Sequence, residues 1–250
     1  MIRASDRRVA LVTGAGQGIG KAVVEVLAAR GYGVAAVDRN PDRLERALAP
    51  IDGDVEGVVA DVLDEAAIVA MTTQVLERFG RWDVLVNNAA ALRFGGVETT
   101  TPSDWDAVFA GCVKTAWLCA RAAVPQLRES GTGRIINFSS IVAQGGDSHE
   151  VLAYTAAKAA IIGFTTAAAR ELGPSGITVN AISPGAVETE AWQKFPDPAA
   201  LKVKRSATAV IGRVAQPWEI GEAVAYLASL EAGFVTGQTL VLDGGRIDKI

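Results

Sequence analysis

Short apolar runs alternate with helical stretches along this chain, and that alternation leaves few folds open. Arg8 to Thr13, Gly33 to Val37, Glu56 to Ala60, Asp83 to Val86, Gly133 to Ser139, Ile177 to Ile182 and Thr239 to Leu242 read as strands. Between them lie helical stretches, among them Glu65 to Phe79, Trp105 to Arg128, Ala153 to Leu172 and Gln216 to Leu230. A strand cannot return parallel to its neighbour without a long crossover, which is usually a helix. The order therefore predicts an α/β fold: a doubly wound, Rossmann-type parallel sheet in three layers, α/β/α. With 250 residues, half of them apolar, the chain can bury one sizeable core, so residues 1–250 are expected to form a single domain.

The first strand runs into Gly14-Ala15-Gly16-Gln17-Gly18-Ile19-Gly20 and then a helix with apolar Ile19, Val23, Val26 and Leu27. Strand, glycine turn, helix is a phosphate-binding order, because glycines let backbone approach a pyrophosphate and a helix N-terminus offers unpaired N–H groups. The spacing is GxxxGxG rather than GxGxxG, and such a turn can also be no more than a tight strand-to-helix connection. The second strand ends at Asp38, close to the offset of ~20 residues at which a carboxylate meets adenosine ribose hydroxyls. A carboxylate there repels a 2′-phosphate, which favours NAD over NADP, although Arg39 beside it could accept that phosphate. Asp61-Val62, Asn87-Asn88-Ala89 and Ser140 also follow strands, at the edge where open α/β sheets bind ligands.

Tyr154 and Lys158 stand four apart in a helix and so share a face. An ammonium beside a phenol favours the phenolate, which predicts a Tyr154 pKa below the free value of ~10 and a usable proton acceptor. Ser140 could hold the other side of an oxygen sharing that proton. An ordinary surface pair on an amphipathic helix would show the same spacing.

Composition removes several classes. A net charge of -4 with both signs interspersed supplies no basic field for nucleic acid. Met1 to Arg8 is short and charged without an apolar signal core, and no apolar run reads as a membrane span, so no membrane partner and a cytoplasmic location are expected. Cys112 and Cys119, the only cysteines, lie within one helical stretch and should be reduced and buried; with a single histidine, a metal site has little to be built from. Residues 186–212 change character, with Trp192, Pro196, Pro198, Lys202, Lys204 and Arg205, and read as a lid beside the site.

Taken together, Thr13-Gly14-xxx-Gly18-x-Gly20, Asp61-Val62, Asn87-Asn88-Ala89, Ser140, Tyr154-xxx-Lys158, Pro184-Gly185 and the ending Val235-Thr236-Gly237 to Asp243-Gly244-Gly245 resemble the short-chain dehydrogenase/reductases over essentially the whole length. The resemblance implies a hydride transfer between a nicotinamide cofactor, with NAD preferred, and a secondary alcohol or ketone. It makes Tyr154 the acid/base, Lys158 its partner and a ribose contact, and Ser140 the group orienting the substrate oxygen. Gly14, Gly16, Gln17, Gly18, Ile19, Gly20, Asp38, Arg39, Asp61, Val62, Asn88, Ala89, Pro184, Gly185, Val187 and Thr189 would contact the cofactor. A homotetramer is implied as well.

Two positions depart from the family pattern: Ala90 replaces a glycine, and Cys112 replaces the asparagine of the proton relay. Arg93, Gln144, His149 and Trp192 are the polar or aromatic candidates for the substrate pocket, with Ala91, Leu92, Phe94, Glu150 and Val151 around them. The carrier-docking arginines of related ketoreductases would fall near Gly131 and Ser175, neither of them basic, so a small polyol, sugar, cyclic or aryl carbinol is favoured. The alternatives are an NADPH-dependent 3-oxoacyl ketoreductase and, from another class, a catalytically weak nucleotide sensor or scaffold.

Overall fold

The computed structural model describes residues 7–145, 150–194 and 196–246. At its centre is one parallel sheet of seven strands in the order β3-β2-β1-β4-β5-β6-β7. The strands are β1 (Val9–Thr13), β2 (Gly33–Asp38), β3 (Val55–Val59), β4 (Val84–Asn87), β5 (Arg134–Phe138), β6 (Thr178–Pro184) and β7 (Thr239–Leu242). The chain builds outward from β1 to β3, then returns to the other side of β1 to build β4 onward. Connections leaving β1 and β4 therefore diverge, and a crevice opens between them at the carboxyl edge.

Successive side chains of a strand face opposite sides of the sheet. Val9 and Leu11 of β1 join Ile68, Met71 and Val75 of α3 (Glu65–Phe79) and Leu118 and Leu127 of α5 (Thr115–Glu129). Ala10 and Val12 instead join Val23, Val24 and Leu27 of α1 (Gly18–Ala29) and Ile220 and Val224 of α8 (Pro217–Ala228). Each large apolar side chain so buried contributes ~1.5–3 kcal/mol relative to exposure. Burial on both faces is why the strands read as continuous apolar runs rather than alternating ones.

Helix starts follow local chemistry. Asn40 caps α2 (Pro41–Leu48) by accepting from Arg43 N, Asp64 caps α3, and Thr101 caps α4 (Pro102–Phe109). Strand ends differ from expectation by a residue or two. Asp83, expected in β4, lies just outside it, fully buried, where it accepts from Val9 N at 2.8 Å and from Arg81.

The expected single helix Trp105 to Arg128 is interrupted: α4 passes through a π-helical segment, Ala110–Lys114, into α5. Thr115 N accordingly reaches Ala110 O, one residue further than in an α-helix. The expectation that no stretch could cross a membrane also needs correction, since Pro102–Glu129 and Leu152–Ser175 are long and apolar enough by length and composition. Their alanine-rich apolar sides lie against the sheet, including Ala120, Ala123 and Ala169, which explains the composition of core-facing helices. Cys112 and Cys119 are both buried and free, as expected.

Gly20 lies so close to the glycine turn that a Cβ would stand 2.1 Å from Gly14 O. Gly20→Ala should therefore lower stability by ~1–3 kcal/mol, read as a reduced thermal unfolding midpoint; an unchanged midpoint would show that α1 can move away from the turn.

Candidate active site

A cleft of about 1060 Å³ follows the carboxyl edge of the sheet. Its middle is the glycine turn. Asn88 ties the turn to β4, donating from Nδ2 to Thr13 O and Gly14 O at 3.0 Å each, while Asn88 N and Ala89 N both donate to Thr13 Oγ1 at 3.1 Å. Gly18 has φ +56, a conformation that favours glycine, and it opens α1. The preceding Gln17 gives no side-chain cap and the first turn holds no acidic residue, so the local sequence leaves these N–H groups to a partner from elsewhere. Glu190 Oε2 accepts from Gly18 N at 3.0 Å.

At one end of the cleft stands Asp38, buried at the tip of β2. Its Oδ2 accepts from Gly16 N at 3.1 Å and its Oδ1 from Asn40 N at 3.0 Å, so the carboxylate braces the glycine turn as well as facing the cleft. Arg39 lines the same end, and so does Arg43, which the sequence reading missed; its Cγ and Cδ lie 3.0 Å from where a Gly16 Cβ would stand. Asp61 and Val62 flank this end, with Asp61 Oδ1 accepting from Leu63 N.

At the other end are Ser140, Tyr154 and Lys158. Ser140 follows β5 and caps a short 3-10 turn, Ile141–Gln144, with Oγ 3.4 Å from Val142 N. Tyr154 and Lys158 lie on α6 (Leu152–Leu172). Lys158 is 3% exposed, and its Nζ donates to Phe138 O at 2.7 Å while lying 5.4 Å from the Tyr154 ring centroid. Ser139, also unforeseen, donates from Oγ to Lys158 O at 2.8 Å and fixes α6 to β5.

The expected lowering of the Tyr154 pKa is not what the protein by itself produces. Burial first, and neighbouring Cys112 second, push the phenol well above the ordinary tyrosine range. The ammonium faces the ring and is engaged by a carbonyl, so it does not offset the desolvation of a phenolate. Burial likewise holds Lys158 below its ordinary value, with Cys112 acting in the opposite direction. In this state the phenol is a proton donor.

Cys112 sits in the π-helical segment with Sγ donating to Ala91 O at 3.3 Å. Pro184, Gly185, Val187 and Thr189 line the cleft at the carboxyl end of β6. Among the substrate candidates, Ala91, Leu92, Arg93 and Trp192 line it, whereas Gln144, Phe94, Glu150 and Val151 do not. Arg93 Nε stands 3.5 Å from Asp104 Oδ1, so part of its charge is engaged by the protein. His149 lies outside the described residues. Leu201, Arg205, Thr208, Ile211 and Arg246 also face the cleft, placed there by chain folding that no local motif announces.

The arrangement fits a dinucleotide. The cleft runs from the Asp38 carboxylate, past a helix end without a cap of its own, to a phenol, an ammonium and a hydroxyl. Its shape and chemistry would accommodate a phosphate at the helix end and ribose hydroxyls at Asp38. Among the described residues, no group of three or more His, Cys, Asp or Glu side chains that could hold an ion occurs.

Residues 14–246 match a family model described as Enoyl-(Acyl carrier protein) reductase. Short-chain reductase protein NovJ of Streptomyces niveus is 39% identical over 98% of this chain and 96% of its own length. The 3-oxoacyl-(acyl-carrier-protein) reductase FabG of Thermotoga maritima is 36% identical over 97% and 98%. D-threitol dehydrogenase of Mycolicibacterium smegmatis is 38% identical over 98% and 94%. A solved Serratia marcescens short-chain dehydrogenase/reductase double mutant superposes with a TM-score of 0.88 at 36% identity, over 95% of this chain and 97% of that one.

Because Tyr154 is held protonated, Tyr154→Phe should leave the tyrosinate absorbance of the protein alone nearly unchanged at about pH 10, the midpoint of a free tyrosine. Its contribution should appear only at higher pH. Losing half a tyrosinate equivalent at about pH 10 would mean the ammonium fully offsets burial, and losing more than half would mean it outweighs burial.

Proposed function

The chain belongs to the short-chain dehydrogenase/reductase family, and from that membership we propose an NAD-dependent oxidoreductase that interconverts a small secondary alcohol and its ketone. The observation that carries the reading is that Ser140, Tyr154 and Lys158 share one cleft with the glycine turn and Asp38. Bound nicotinamide would supply or accept the hydride, and its oxidised, cationic form would favour the Tyr154 phenolate. The Ser140 hydroxyl orients the substrate oxygen. Tyr154 gives that oxygen a proton during reduction and removes it during oxidation. Lys158, fixed by Phe138 O, keeps a positive charge beside the ring and within reach of a ribose. Residues 186–212 act as a lid over a single domain, and Arg93 and Trp192 contact the substrate. Free, buried cysteines accord with a cytoplasmic setting.

A second reading, an NADPH-dependent 3-oxoacyl-type ketoreductase, is favoured by one observation: Arg39 and Arg43 both line the Asp38 end, where a 2′-phosphate would sit. Asp38 outweighs them in our reading because its carboxylate is already fixed by two backbone N–H groups facing that end. A homotetramer is proposed from the resemblance and from the large apolar side chains exposed at Trp105, Trp117, Phe234 and Leu240. Static light scattering at micromolar concentration should give four times the chain mass, and a monomer would refute it.

A screen of NAD reduction across polyols, sugars, cyclic alcohols and aryl carbinols should find turnover, and Tyr154→Phe should lower it by about 10²–10⁴-fold with NADH binding retained. Full activity in that variant would remove Tyr154 from the chemistry. Initial rates should favour NAD over NADP, and Asp38→Ala should narrow the difference. A wild-type protein faster with NADPH would hand the reading to the two arginines.

A further inference from the structure

We propose that Glu190 is a built-in competitor for the pyrophosphate of the dinucleotide: its carboxylate holds the N-terminus of α1 and draws the lid onto the glycine turn until the dinucleotide displaces it. The proposal rests on the dinucleotide-binding reading above. Gly18 N, the first amide of α1, is the group a pyrophosphate would meet, and Glu190 Oε2 accepts from it at 3.0 Å. The contact spans 172 residues of sequence. A helix is normally capped by the residue before it or by an acid in its own first turn, and α1 has neither. The carboxylate that fills this role comes instead from a segment lining the same cleft.

The lid is shaped to deliver that carboxylate. Glu188, two residues earlier, is anchored by Lys202 Nζ at 2.7 and 2.8 Å and by Gln216 Nε2 at 2.8 Å, and its backbone N donates to Ala215 O at 2.9 Å. From that fixed point a 3-10 turn, Glu190–Lys194, begins. Thr189 lies against Gly18, its Cγ2 3.4 Å from where a Cβ would stand. A Cβ at position 18 would therefore stand in ordinary contact with the lid, and it is the positive φ of +56 rather than lack of room that favours glycine there.

One N–H cannot serve two anions, and a carboxylate and a pyrophosphate at the same helix end repel each other. Binding the dinucleotide therefore requires the Glu190 side chain to swing away. That motion is undemanding, because Glu190 is exposed and the backbone on its N-terminal side is anchored independently. When the dinucleotide leaves, the carboxylate returns and opposes rebinding. Lid position and dinucleotide occupancy are thereby coupled through a single hydrogen bond, that from Gly18 N to Glu190.

Fluorescence titration of NADH and calorimetry of ADP-ribose and adenosine, on wild type, Glu190→Gln and Glu190→Ala, test this. Both variants should bind NADH and ADP-ribose about two- to fivefold more tightly than wild type. The gain should shrink with added salt. Adenosine, which lacks the pyrophosphate, should bind all three proteins alike. Unchanged or weaker NADH binding in both variants would overturn the competitor, as would an equal gain for adenosine. If wild type and variants all fail to bind any dinucleotide, the cofactor reading falls and the competitor falls with it; if all three bind it equally, only the competitor falls.

Discussion

The buried ammonium of Lys158 sets the terms for the Ser140–Tyr154 end of the cleft. Removing a charge from water costs several kcal/mol after relaxation, and one hydrogen bond to a carbonyl returns only ~1.5–3 kcal/mol. Lys158 at 3% exposure, bonded to Phe138 O at 2.7 Å, is therefore held where it is by the surrounding fold and not by its own favourable energy. Ser139 Oγ to Lys158 O and Asn137 Nδ2 to Thr165 Oγ1 join α6 to β5 on both sides of that bond. Asn87 Nδ2 to Asn137 Oδ1 carries the network on to β4. With α6 pinned in this way, Tyr154, one turn earlier, can face only the cleft beside Ser140.

Away from that end, the site relies on backbone more than on side chains. The glycine turn presents N–H groups; Asn88 fixes it from β4 and Asp38 from β2. Asp38 thus does two things at once, bracing Gly16 N and placing a negative charge where the adenosine ribose would lie. A substitution there would alter the shape of the glycine turn as well as the charge at that end of the cleft. Arg43 compounds this coupling, since its aliphatic stem packs over Gly16 and the residue lines the same end of the cleft.

Much of this was legible in the sequence because the relevant signals are local. Strand-helix alternation yields the sheet, the glycine spacing yields the turn, and the four-residue step from Tyr154 to Lys158 yields the pair. Features set by through-space contacts were not legible. Glu190 meets Gly18 across 172 residues, and Arg43 approaches Gly16 only because β1 and β2 are neighbours. The sign of the Tyr154 shift was misread for the same reason: spacing gives the partner, but burial and the direction of the Lys158 hydrogen bond decide which effect is larger. Gln144 illustrates the reverse error. It is close to Ser140 in sequence, but the 3-10 turn it closes leaves it out of the cleft lining.

Cys112 shows how a departure from a family pattern can be absorbed. A thiol is a weak hydrogen-bonding group compared with an amide, so loss of the asparagine would be expected to let the helix straighten. The helix is nevertheless π-helical across Ala110–Lys114. Three contacts accompany it, two of them made by Thr115 and independent of the side chain at position 112. Thr115 Oγ1 donates to Gly111 O at 3.0 Å, Thr115 N reaches Ala110 O, and Cys112 Sγ donates to Ala91 O at 3.3 Å. Gly111 adds a steric condition, because a Cβ there would stand 2.5 Å from the Ala91 Cβ. The segment is therefore clamped against the loop that follows β4, the same loop that carries Asn88 to the glycine turn. A thiol suffices at position 112 because it has one acceptor to satisfy, and the distortion is secured by Thr115 and by the fit of Gly111 against Ala91.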